Sequence, residues 1–296
     1  MGEILIGTSS WADRLLLASN WYPQNVKTPQ ERLEFYGRRF PLVEVDTSFY
    51  AIPAPEVTTA WAQHAPDRFT FNIKAFSLFT DHSTKAGTLP ADLRPAGAAS
   101  EERLRRKDLS EEAYDELWVR FHESLAPLEE QGKLGTILLQ FPPWLDFGQG
   151  ARKRIAETAQ RCQPFRVAVE FRNRSWFTTS NVEETLTFLA KNDISFCCVD
   201  MPQGHPSSVP PILMVTAEPA MVRFHGHSKE WTTGDKRERF RYAYSEDELT
   251  RWAARLRDLG TEASQVHVLF NNCCAGQAQR DAAALATILG VAQQVE

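Results

Sequence analysis

The chain reads as an α/β protein folded as a single (β/α)8 TIM-like barrel. Two observations predict this. Apolar runs of strand length alternate with amphipathic stretches of helical length along the whole sequence, and that alternation marks a parallel sheet with helical crossovers. Eight such strands in 296 residues match a closed barrel of about 250 residues plus insertions. An open doubly wound sheet is the rival. It calls for a glycine-rich phosphate turn after the first strand, and Gly7-Thr8-Ser9-Ser10-Trp11 is not one.

Residues 1–296 are therefore assigned to one domain, with insertions after strands 3, 6 and 7. Strands are expected near 3–8, 42–47, 69–75, 135–141, 166–172, 194–200, 221–225 and 265–271. The first opens with Ile4-Leu5-Ile6-Gly7, and the sixth ends at Asp200 just before Met201-Pro202. Helices are expected near 28–40, 55–64, 110–131, 149–162, 181–192, 246–259 and 278–290. The one at 246 has a good start signal, Ser245 followed three residues later by Glu248. Leu249, Trp252, Ala253 and Leu256 then give it an apolar stripe. Residues 76–109 and the proline-rich 201–220 interrupt the rhythm. Both leave strand C-terminal ends, where long loops act as lids or as solvated insertions.

Four strands share an unusual feature, two polar or charged residues spaced i, i+2. They are Val43-Glu44-Val45-Asp46, Phe71-Asn72-Ile73-Lys74, Val169-Glu170-Phe171-Arg172 and Val222-Arg223-Phe224-His225. Side chains alternate across a strand, so each polar pair shares one face and the apolar pair takes the other. Strands of this kind converging at one end would bring acids, bases and cations into mutual reach. That end is where barrels keep their sites.

Glu170 and Arg172 share a face at about 7 Å, from roughly 3.3 Å per residue. Either they face one bound molecule, Arg172 gripping an anionic group while Glu170 moves a proton, or they form a structural ion pair. Trp176, just beyond, offers an apolar platform for a sugar or base ring. Glu44 and Asp46 on one face are costly unless a cation, a metal or a shared proton compensates. The functional reading is a general base with a raised pKa, or metal ligands; the structural one is neutralisation by Lys74 or Arg223. Tyr50 follows at the loop as a pocket-lining candidate. Lys74 could pair with Glu44, bind a phosphate or carboxylate, or form a Schiff base, with ion pairing favoured. His225 is the strongest acid–base candidate among seven histidines, because it ends a strand beside charged groups. Asp200 is expected to orient it. Trp11, Gln140, Asn271 and Asn272 close other strands and suit substrate binding or loop anchoring.

Glu44, Glu170, Asp200 and His225 could also supply ligands to Mg²⁺, Mn²⁺ or Zn²⁺. Yet no His-Glu-x-x-His or Cys-x-x-Cys spacing occurs, and Lys74, Arg172 and Arg223 would crowd a cation. No cofactor is expected, and a divalent metal is the lesser alternative. A formal net charge of −5 argues against nucleic acid or an anionic membrane as partner. The loop at 229–241 carries Lys229, Lys236, Arg237, Arg239 and Arg241 among aromatics, a pattern that suits nucleic-acid stacking. Glu230, Asp235 and Glu238 dilute it, so a solvated face is expected. No apolar run reaches the length of a membrane span, and no signal peptide is seen. The five cysteines form two adjacent doublets and a single, which suits apolar fillers in a reducing cytoplasm.

Several blocks then resemble a known family. They are Gly7 to Trp11, Glu44 to Tyr50, Leu139-Gln140-Phe141-Pro142-Pro143, Val169 to Trp176, Arg223-Phe224-His225-Gly226 and Phe270-Asn271-Asn272. Their order along nearly the whole chain is similar to the YecE-like family, domain of unknown function 72. The resemblance implies a cytoplasmic TIM-like barrel loosely related to sugar isomerases. Ser10, Asp46 and Asp281 depart from its usual Gly, Asn and Asn. The function expected is acid–base chemistry, of isomerase or lyase type, on a small polar or anionic molecule such as a sugar or sugar phosphate. A metal-dependent hydrolase or phosphodiesterase on the same scaffold, or a non-enzymatic binding protein, are the alternatives.

Overall fold

The computed structural model describes residues 1–233 and 235–291; of Lys236 and Arg237 only the backbone is described. Eight strands close a barrel: β1 (Glu3–Thr8), β2 (Leu42–Val45), β3 (Thr70–Lys74), β4 (Leu134–Gln140), β5 (Arg166–Glu170), β6 (Ile194–Asp200), β7 (Ala220–Phe224) and β8 (Gln265–Phe270). Each pairs in parallel with its neighbours in sequence, and β8 closes on β1. The strands stand within two residues of their expected places. Asp46, Arg172, His225 and Asn271 lie just past the ladder, on the loops that leave the barrel mouth.

Among the described residues, seven helices of nine residues or more surround the barrel: α1 (Pro29–Gly37), α2 (Pro55–His64), α3 (Glu111–Glu130), α4 (Gln149–Arg161), α5 (Val182–Lys191), α6 (Glu246–Glu262) and α7 (Gln277–Leu289). Local chemistry sets their starts. Thr28 and Glu31 cap α1 reciprocally, with Pro29 supplying a first turn that needs no N–H. Ser245 and Glu248 do the same for α6. The outward strand residues Val43, Val45, Val169, Phe171, Val222 and Phe224 are buried under this helical layer. Gly7 is required where β1 meets β2, because a Cβ there would stand 1.8 Å from the Leu42 carbonyl oxygen.

Two connections differ from expectation. Between β6 and β7 no helix forms: residues 201–219 are the entire crossover, and not an insertion added to one. Pro202, Pro206, Pro210, Pro211 and Pro219 remove the amide donors and fix the φ angles that a helix would use. After β3, the chain from Phe76 to Leu109 is a packed collar. It is a string of short 3₁₀ turns with a two-residue antiparallel ribbon, Thr84–Lys85 on Arg103–Leu104. Phe76, Leu78, Phe79 and Leu104 are buried, and Phe79 stacks on Trp118 of α3 at 3.7 Å. No helix among the described residues is long and apolar enough to cross a membrane.

Candidate active site at the strand C-terminal ends

The inward side chains build the site in layers. Deep in the barrel, Asn72 Oδ1 meets His267 Nδ1 at 3.1 Å and accepts the Thr136 amide at 3.0 Å. Above them the fully buried Arg223 reaches from β7 across the interior. One terminal nitrogen donates to Glu170 and the other to Glu44. The second also lies 3.9 Å from Asp46 Oδ1. Arg172 Nε donates to the other oxygen of Glu170. Its Nη2 lies 3.1 Å from His225 Nε2 and 3.4 Å from Gln140 Oε1. The same Nε2 also lies 3.4 Å from Glu170 Oε1, and the other ring nitrogen is Nδ1. That nitrogen faces the Asn271 side-chain amide at 3.1 Å. Burial and the adjacent Arg172 push the His225 pKa down to about 3, which keeps the ring neutral.

The two carboxylates on Arg223 have opposite states. Burial alone would push the Glu170 carboxyl up, but Arg172, Arg223 and His225 surround it and hold it well below the usual range. Glu44 shares Arg223 and has the Asp46 charge beside it. Burial, with that like charge, pushes its carboxyl up to about 7. Its Oε2 is buried without a hydrogen-bond partner.

Glu44 also lines a cavity of about 500 Å³ at the mouth. Trp11, Tyr50, Trp61 and Phe240 supply aromatic walls, and Ser9, Asp46 and Asn271 supply polar ones. Ser9 Oγ is a second buried group without a partner. An acid with an unpartnered oxygen and a proton affinity near neutrality, beside aromatic walls, can give and take a proton at one place.

The family model described as "Protein of unknown function DUF72" matches residues 5–296. The chain belongs to the DUF72 family. It is 32% identical to the UPF0759 protein YunF of Bacillus subtilis, over 93% of this chain and 90% of that protein. Among solved structures, a DUF72 family protein of Enterococcus faecalis superposes with a TM-score of 0.79 at 26% identity, covering 98% of this chain and 96% of the other. One from Thermotoga maritima gives 0.76 at 26% identity, covering 97% and 99%.

In this DUF72 chain Glu44, Asp46, Glu170, Arg172, Arg223 and His225 meet in one cluster, with Gln140 and Asn271 at its edge. Other candidates are placed differently. Lys74 Nζ pairs with Asp46 at 3.3 Å instead of with Glu44, and sits 4.7 Å from the Phe49 ring. Asp200 does not orient His225: its Oδ2 takes His227 Nε2 at 2.9 Å and the Tyr244 hydroxyl at 2.7 Å. Only its backbone carbonyl meets the His225 amide. Trp176 is no platform. It is fully buried against Phe171, and its indole N–H donates to the Leu145 carbonyl at 2.7 Å. Asn272 anchors a loop by donating to the Tyr242 carbonyl and to Asp281. Arg172 is paired through Nε with Glu170.

The metal donors considered from sequence do not converge. Arg223 stands between Glu44 and Glu170, and Asp200 faces away from both toward His227. Among the described residues no three His, Cys, Asp or Glu side chains are placed to hold a metal ion. His225-Gly226-His227 is a His-x-His spacing, but Gly226 turns the chain at φ 78° and the two rings take different partners. The loop after β7 has two sides: Lys229, Glu230, Asp235 and Arg241 are exposed, as expected of a solvated face, while its aromatics turn inward. Trp231 is 8% exposed and lies 6.0 Å from the His225 ring, and Phe240 lines the cavity. Arg241 pairs with Glu238 at 3.1 Å. The side chains of Lys236 and Arg237 lie outside those described.

Sequence reasoning missed Ser9, Phe240, Cys273 and His82. His82 comes from the collar, edge-on to Phe49 at 5.0 Å. Burial and Lys74 push its pKa down to about 4. The signal for Ser9 and Cys273 was present in their positions, one residue past β1 and three past β8; Phe240 and His82 depend on how long loops fold back.

Proposed function

We propose that the protein is an acid–base enzyme of isomerase or lyase type acting on a small polar molecule, with Glu44 as the group that moves the proton. The observation that carries this reading is the buried, unpartnered Oε2 of Glu44 beside the aromatic cavity. A carboxyl near 7 takes a proton from carbon in its ionised form and returns it in its neutral form at the same pH. Glu170, Arg172, His225 and Arg223 hold Glu44 in place and fix the field around it. The cations of the cluster are already matched to carboxylates, which supports a polar substrate over an anionic one. Five free cysteines accord with a reducing cytoplasm.

The test is proton exchange. Candidate polyols, aldoses and amines are incubated with the protein in D₂O, and C–H deuteration is followed by NMR. Exchange in the wild type that drops by about 10²-fold or more in Glu44→Gln supports the reading. Exchange that persists undiminished in a folded Glu44→Gln variant removes Glu44 from the chemistry.

A further inference from the structure

The charges around the cavity are all of one sign. Asp13, Glu44 and Asp46 line it, and among the described residues no lysine, arginine or histidine does. The nearby cations do not line the space but stand behind these carboxylates, Arg223 between Glu44 and Glu170 and Lys74 between Asp46 and the Phe49 ring. The walls are aromatic, with Trp11 and Trp61 edge to face at 5.4 Å. Carboxylates plus aromatic faces form the chemistry that recognises an ammonium group, because ring quadrupoles attract a cation in the same way as a negative charge does. Two buried polar oxygens, Glu44 Oε2 and Ser9 Oγ, stand without partners on residues that line this space.

We propose that the cavity binds a small organic cation, a molecule bearing an ammonium group, and discriminates against anions of the same shape. This deepens the acid–base reading and rests on it, since Glu44 serves both. The cation takes the place of the proton that Glu44 otherwise keeps. Binding is therefore linked to proton release. Glu44 is faced by Arg223 from β7, Lys74 from β3, Glu170 from β5 and Asp46 beyond the end of its own strand. Cys197 from β6 and Cys273 beyond β8 also face it, and both are kept as neutral thiols by burial.

The experiment uses three isosteres: choline, 3,3-dimethylbutan-1-ol and 3,3-dimethylbutanoate, which are cation, neutral and anion. Choline keeps its charge at every pH, so any pH dependence belongs to the protein. Calorimetric titration of the full chain is expected to show choline bound at least about tenfold more tightly than the neutral alcohol, with the anion weakest. Choline affinity should fall about tenfold from pH 8 to pH 6, as expected for a carboxyl at about 7. That slope should vanish in Glu44→Gln, and Asp46→Asn should weaken choline several-fold. Equal or tighter binding of the alcohol or the anion overturns the proposal, and so does failure of all three to bind. The ¹³C carboxyl shift of Glu44 is read separately. A midpoint near 7 without a preference for choline defeats the ligand class alone; a midpoint near 4.5 defeats the acid–base reading as well.

Discussion

Replacing Glu44 by glutamine should make the protein more stable, and by an amount that depends on pH. In the unfolded chain the carboxyl titrates at its ordinary 4.5; in the fold, burial and Asp46 hold the proton up to about 7. Below 4.5 both states are protonated, and the acid resembles its isosteric amide. As pH rises past 4.5 the unfolded chain releases the proton while the native state keeps it. Native stability then falls by about 1.4 kcal/mol per pH unit until the folded group also ionises. Across the interval from 4.5 to about 7 the loss accumulates to about 3 kcal/mol, and it is undiluted by solvent because the side chain is fully buried. Urea melts of wild type and Glu44→Gln, from about pH 4.5 to about pH 8.5, measure it. The two should coincide at the acid end, and the variant should gain about 3 kcal/mol at the alkaline end. A gap that stays flat with pH, or a variant weaker than wild type at pH 8, would refute the reasoning.

Four other perturbations test neighbouring parts of the argument. Glu170→Gln leaves Arg172 and Arg223 short of an anion and should cost about 3–5 kcal/mol in urea melts at pH 7; the wild-type contribution, from a depressed carboxyl, should be present above pH 4.5 and vanish only in strong acid. Asp46→Asn removes the like charge beside Glu44, so the carboxyl midpoint followed by NMR should move down. His227 is raised above its ordinary 6.5 by its hydrogen bond to Asp200, so the stability that His227→Gln removes should be fully present below pH 6.5 and fade as pH rises through the folded midpoint. Gly226→Ala should cost about 2 kcal/mol or more in thermal or urea melts, since φ is 78° and the new Cβ would meet Tyr242 Cβ at 2.4 Å.

The barrel was legible because each strand is a short apolar run and stretches of helical spacing lie between most of them, with capping boxes marking the starts of α1 and α6. The convergence of Glu44, Glu170, Arg223 and His225 was legible for a simple reason: period-two alternation fixes the face of a residue once the strand is known. What lay beyond the strands was harder to read. Asp200 ends β6 at the right height to serve His225, yet β7 turns at Gly226 and delivers His227 to it instead. Trp176 follows Arg174 and Ser175 at the barrel mouth, but a 3₁₀ turn over Arg174–Phe177 swings it under the loop that holds Leu145. A side chain on a strand has one of two directions. A side chain on a turn has many, and sequence patterning does not choose among them. The missing helix between β6 and β7 was readable from its prolines; its role as a complete crossover depended on knowing that β6 and β7 are direct neighbours.

The difference between the two acids also has a local origin. Glu44 and Glu170 occupy equivalent inward positions near the ends of their strands, and both contact Arg223. Each is followed at i+2 by a charged residue on the same face. After Glu170 that residue is Arg172, and after Glu44 it is Asp46. One position therefore adds a cation to a carboxylate that already has one, and the other adds an anion. A single shared guanidinium cannot neutralise both strands equally, so the pair separates into one acid that stays ionised and one that keeps its proton near neutrality. Division of two carboxylates by environment is how one fold supplies a fixed charge and a mobile proton at the same pH. On this argument the residue at position 46 biases the ionisation of Glu44. A chain carrying asparagine there would keep the same geometry, and its Glu44 would ionise at a lower pH.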